Sequence, residues 1–204
     1  MVQLYLDGGD FMHPILGALI LGLVFVLERL IHLIGGLATG EKFANNVTQI
    51  VRDQGFAEAR EKCENARGPV ANICLGALER SEHGAAEAET ALDNVGAIEM
   101  ASLEKNMTWI SLMIAVAPML GFLGTVVGMI QAFNDIKAAD DMTPSVVAGG
   151  ISTALLTTAF GLIVAVILQL LQNVCLYIID NQIVTMQKSS AMIIVSIKDK
   201  LSGK

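Results

Sequence analysis

At 204 residues, 53% hydrophobic and 16% charged, with a mean hydropathy of +0.59, the chain holds too much apolar length for one soluble core and reads as an integral membrane protein. A net charge of −7 without any basic patch argues against nucleic acid as a partner. Cys63, Cys74 and Cys175 lack both the CxxC spacing of a metal site and the even count of a disulfide framework, so three reduced thiols and no metal are expected.

Residues 1–10 carry Asp7, Asp10 and Gly8-Gly9 but no Lys or Arg, which predicts a short exposed leader, not a cleaved signal peptide. Residues 11–37 form the first predicted span, longer than the ~20 apolar residues a helix needs to cross a hydrocarbon core of ~30 Å. Glu28 and Arg29 lie near its end and point about 100° apart on a helix, so each is expected to pair with another helix or snorkel, not to pair with the other. Gly35-Gly36 and Gly40 punctuate the exit, and residues 38–105 turn charged and Ala-rich, which predicts a soluble helical region. Phe43, Val47, Ile50 and Val51 keep helical spacing, as do Ala71, Cys74, Leu75 and Leu78, with Gly68-Pro69 as the break between two helices. From Ala85 the pattern runs without proline into the second span, predicting one long helix. Its acidic residues Glu87, Glu89, Asp93, Glu99 and Glu104 read as a solvated face, with docking to a partner as the alternative.

The second span, 106–134, holds no charge, and Gly121, Gly124, Thr125 and Gly128 fall on one helical face of almost bare backbone. In lipid such a face lets another helix approach closely. Trp109, near its start, suits either the headgroup level or ordinary packing. A polar loop is predicted at 135–145, around Lys137, Asp140, Asp141 and Thr143-Pro144. The third span, 146–172, lies inside an uncharged run, Met142 to Ile179, of 38 residues, about 57 Å of helix at ~1.5 Å per residue. The excess should leave the bilayer near Gln169, Gln172 and Asn173 and continue through 173–204 as an amphipathic helix with Lys188, Lys198, Lys200 and Lys204. On the third span Gly150, Ala154, Thr157 and Gly161 share a face, with Thr153 and Thr158 on its borders. Taken alone, buried threonines of this kind bond to their own helix's i−4 carbonyl.

Of thirteen Lys and Arg, only Lys137 belongs to the leader or the short loop. The cation bias predicts the N-terminus outside and the C-terminus in the cytoplasm. The second and third spans contain no Asp, Glu, His, Lys or Arg, so this chain by itself has no proton relay across the bilayer.

The run Pro118-Met119-Leu120-Gly121-Phe122-Leu123-Gly124-Thr125-Val126-Val127-Gly128, its place on the second of three spans, and Glu28-Arg29-Leu30 ending the first resemble the ExbB/TolQ/MotA family of ion-driven motor subunits. The resemblance covers nearly the whole chain and is nearest to the three-span ExbB/TolQ type. It implies an all-α protein of the bacterial inner membrane with three transmembrane helices and long cytoplasmic helical extensions, assembled as a homopentamer around a central pore. It implies no enzyme activity and no cofactor. The ion would be H⁺, with Na⁺ as the alternative, and the missing carboxylate would be an Asp on the single span of an ExbD/TolR/MotB-like partner.

The family's third-span motif matches Gly149-Gly150-Ile151-Ser152-Thr153-Ala154-Leu155-Leu156-Thr157-Thr158 and places Thr158 at the pore threonine, with Thr125 as its counterpart on the second span. Thr153 departs from the pattern, since many relatives carry glutamate there, and a threonine cannot hold a titrating proton near neutral pH. A sodium-driven motor of the same architecture and a scaffold or small-solute channel without motor activity are the alternative functions.

Overall fold

The computed structural model describes residues 5, 8–36, 40–138 and 144–203, and every regular element among them is helical. In chain order these are α1 (Met12–Gly36), α2 (Glu41–Asp53), α3 (Phe56–Glu64), α4 (Pro69–Arg80), a 3₁₀ turn (Ser81–His83), α5 (Ala85–Glu104), α6 (Met107–Ala138) and α7 (Pro144–Leu201). Among the described residues three stretches are long and apolar enough to cross a bilayer: Met12–Gly35, one within Ala85–Lys137 and one within Ala148–Leu201. The protein is thus an all-helical, multi-pass membrane protein. Most of the expected leader (1–4, 6 and 7), the exit at 37–39 and the loop core at 139–143 lie outside the described residues.

Two expectations need correction. The region before Gly68 is two helices, not one, because Gly55 stands at φ +107° between α2 and α3, a conformation open to glycine and strained for residues with a Cβ. The helix from Ala85 also does not run unbroken into the second span. Lys105 leaves α5 with ψ 139°, and Asn106 takes φ +65°, a left-handed conformation that asparagine tolerates better than most residues. At the far end, α6 carries Asp135–Ala138 as a further helical turn, so the expected loop begins later than its polarity suggests. The third span and tail form one 58-residue helix, about 87 Å long at ~1.5 Å per residue.

The chain divides into two compact units. The first joins Met1–Glu28 to Asn106–Val174. Its core is Ile15, Ala18, Ala117, Val164 and Leu168, all buried. α1 approaches α7 closely at Gly22, where a Cβ would stand 2.5 Å from Leu168 Cδ1. A polar link crosses the same unit, Gln172 Nε2 donating to Ser111 Oγ at 2.6 Å. Large apolar side chains such as Met119, Phe122 and Phe133 point outward, the pattern of a surface whose solvent is lipid or another apolar helix.

The second unit joins Arg29–Lys105 to Cys175–Lys204. Amphipathic α2 buries Ala44, Val47 and Val51, and α4 buries Val70, Ile73, Cys74 and Leu78, while Ile193 and Ile197 of α7 are fully covered. Gln182 Nε2 donates to the Leu33 carbonyl at 2.7 Å, one of the last four carbonyls of α1, which have no partner within the helix. The acidic face of α5 is partly engaged within the chain: Glu89 pairs with Lys198 at 2.9 Å, and Glu99 accepts from Asn72 Nδ2 at 2.8 Å. Both contacts are exposed and orient more than they stabilise.

Candidate functional site

The bare faces of α6 and α7 meet each other within one chain. A Cβ at Gly121 would stand 2.8 Å from the Thr157 carbonyl oxygen, and one at Gly161 would stand 2.6 Å from that of Ala117. A Cβ at Gly128 would press on Ala154, and one at Gly150 on Ala132, at 3.0 and 2.5 Å. The two backbones are therefore near van der Waals contact over four turns, as small residues permit in lipid. Pro118 lies inside α6; lacking an N–H, it leaves the Ile114 carbonyl without its usual helical donor.

This close approach brings three hydroxyls onto two carbonyls. Thr125 Oγ1 lies 3.2 Å from its own helix's Gly121 carbonyl and 3.2 Å from the Ala154 carbonyl of α7. Thr158 Oγ1 donates across to Gly121 at 3.0 Å. Thr125 and Thr158 are also hydrogen-bonded to each other. Thr157 Oγ1, only 2% exposed, donates to Ala154 at 2.7 Å and reaches Gly121 at 3.3 Å. Each hydroxyl has one proton. Within the Thr125–Thr158 pair one proton serves the mutual bond and one is left for a carbonyl, so the pair has two arrangements of its hydrogen bonds. The expected i−4 bond is present at Thr125, but joined to an interhelical network.

Thr153 sits apart from this network, in a cavity shared with Asp10, Gln131, Asp135 and Thr157. Glu28 and Arg29 each bond to a residue distant in sequence. In the first unit Glu28 Oε2 accepts from Asn106 Nδ2 at 3.1 Å. In the second, Arg29 is 2% exposed and its Nη1 donates to the Ser102 carbonyl at 3.3 Å, placing a cation at the C-terminal end of α5, where the helix dipole favours it. Trp109 stacks on Phe25 at 6.0 Å while staying half exposed, as a packing residue at the edge of the unit would.

Spacing alone missed three features. Gly22 follows Ala18 by four residues, a small-residue pair on the face that packs against Leu168, but it was not singled out within its apolar run. Asn106 looks like any polar residue at a span's edge. Cys63 and Cys74, read as isolated, touch across α3 and α4; the Cys74 thiol donates to Cys63, which lowers the Cys63 pKa and raises that of Cys74 well above the ordinary value. All three cysteines are free, and no group of metal-ligating side chains occurs among the described residues.

The chain is similar to known proteins over most of its length. The family model of the MotA/TolQ/ExbB proton channels matches residues 65–188. An ExbB homologue of Methanothermobacter thermautotrophicus is 30% identical over 185 residues, 90% of this chain and 65% of the relative, so the chain spans about two thirds of that protein's length. An ExbB-like protein of Synechocystis is 28% identical over 188 residues, covering 91% of this chain and 90% of its own. The Tol-Pal system protein TolQ of Haemophilus influenzae is 38% identical over 68 residues, 33% of this chain and 30% of its own.

Proposed function

Because the chain belongs to the MotA/TolQ/ExbB proton channel family, we propose that it is the ion-conducting ring subunit of an inner-membrane motor that turns proton motive force into mechanical work. The observation that carries this reading is the hydrogen-bonded pair of Thr125 and Thr158 on the Gly121 carbonyl, in two spans that hold no ionisable side chain. Five such chains would surround the single span of an ExbD/TolR-like partner, which supplies the carboxylate this chain lacks. The N-terminus would face the periplasm and the C-terminus the cytoplasm, as the cation bias indicates.

The chemistry follows from the hydroxyls. Thr125 and Thr158 can turn a donor or an acceptor toward a passing water or hydronium without moving either helix. An ion crossing the bilayer releases about 2.3 kcal/mol per charge per 100 mV. Protonation of the partner's carboxylate removes the cost of carrying its charge past apolar surface, and its release beside the hydroxyls restores that charge one subunit further on. Ion flow thereby sets the direction of movement. The hydroxyl and carbonyl oxygens would equally suit Na⁺, and replacing the bathing cation separates the two ions.

Replacing Thr125 and Thr158 by Val keeps shape and removes the polar path. With the partner co-expressed, each single variant should assemble and lose about five-fold to more than a hundred-fold of its ion-driven rate, corresponding to ~1–3 kcal/mol for an unsatisfied polar partner. Full activity in the double variant would reduce both threonines to helix-packing residues.

A further inference from the structure

We propose that the cavity holding Thr153 is a hydrated, cation-selective vestibule through which the translocated ion reaches the threonine pair, an inference that rests on the reading above. The cavity has a volume of about 310 Å³ and lies wholly within the first unit, between the leader residues and the loop-side ends of α6 and α7. Polar groups converge on it from all three segments: Asp10 from the leader, Gln131 and Asp135 from α6, and Thr153 and Thr157 from α7. Among the described residues no Lys, Arg or His lines it. Side chains of this kind are costly against lipid and collect where water reaches, and a polar concavity of this size has room for several waters.

The position of its floor decides the role. Thr157 lines the cavity, and its Oγ1 bonds to the Ala154 and Gly121 carbonyls, the two acceptors that Thr125 also shares. Thr157 therefore belongs both to the lining of the vestibule and to the hydrogen-bond network of the hydroxyl pair. Phe11 packs beside it, its Cβ 3.1 Å from where a Cβ of Gly124 would stand. Carboxylates in a concavity with apolar walls raise the local cation concentration and repel anions, so Asp10 and Asp135 set which charge enters. Thr153 leaves the wall polar and adds no fixed charge.

The test uses the full chain in intact cells with its partner co-expressed. Gln131→Cys is treated from outside with an impermeant cationic or an impermeant anionic methanethiosulfonate, and modification is read peptide by peptide by mass spectrometry. The cationic reagent should react faster, by on the order of ten-fold relative to the ratio for a free thiol in solution, and Asp10→Asn with Asp135→Asn should return the ratio to the free-thiol value. Thr153→Cys, in the lining contributed by α7, should behave alike and serves if the first variant fails to accumulate. Reaction with neither reagent at either position would mean a sealed cavity and overturn the proposal. So would a cationic preference that survives both Asn substitutions. Because labelling does not need a working motor, full activity in the Thr125/Thr158 double variant would defeat the functional reading and leave this result standing.

Discussion

Thr125 differs from an ordinary back-bonded helix threonine in reaching a carbonyl of the neighbouring helix as well as its own, at equal distance. That choice of acceptors is what a path for a moving proton needs, since a hydroxyl with one fixed partner cannot reorient cheaply. Thr125 and Thr158 were legible in the sequence by different routes: Thr125 lies on the small-residue face that the spacing of the second span shows, whereas Thr158, on the border of its face, was singled out by the resemblance to the family's third-span motif, which also pairs it with Thr125. Cys63 and Cys74 were not: eleven positions and a turn separate them, and only the packing of α3 on α4 makes them neighbours. Their contact has a measurable effect. The Cys74 thiol donates to Cys63 and holds the Cys63 pKa down, so more Cys63 is thiolate at a given pH than would be without it. Cys74→Ala removes the donor, and the midpoint of the pH profile for Cys63 alkylation should move upward. An unchanged or lowered midpoint would show that the thiol contact does not control Cys63.

The helices themselves divide by how much each one's sequence reveals. α1, α6 and α7 follow from apolar runs long enough to span a bilayer, and α4 from Gly68-Pro69 at its start. The breaks at Gly55 and at Lys105-Asn106 are conformational and leave the apolar periodicity on either side intact, so spacing carries past them. The same limit applies to the face of α6. Its spacing showed that some helix packs there, and the structure identifies that helix as the chain's own α7. The packing is strict at Gly161, where a Cβ would meet the Ala117 carbonyl oxygen at 2.6 Å, and absent at Gly149, where nothing lies within 4 Å. Gly161→Ala should therefore destabilise the helix pair by about 1–3 kcal/mol, the usual cost of overpacking, while Gly149→Ala should be neutral or stabilising by up to ~1 kcal/mol through helix propensity. Heating the detergent-solubilised protein and following its loss from solution orders the two variants. Equal midpoints would mean that the backbones are not in contact at Gly161.

For the whole molecule, the central claim is a division of labour: this chain supplies a polar, uncharged path, and a partner supplies the charge that moves along it. Composition carries the first half, since the second and third spans have no ionisable residue, and the charged partner is what the family resemblance implies. The fold adds that the path's hydroxyls are held by two helices packed backbone to backbone, a rigid wall against which a mobile carboxylate can work. A channel or scaffold built from the same small-residue faces would need no such partner. The most direct measurement is ion flux into liposomes under an imposed potential, with this chain reconstituted alone, with a single-span partner bearing an intramembrane Asp, and with that Asp replaced by Asn. We expect flux only with the intact partner, and loss of that flux to the level of the chain alone when its Asp is neutralised. Equal flux from the chain alone would contradict the division of labour and make the protein a channel in its own right.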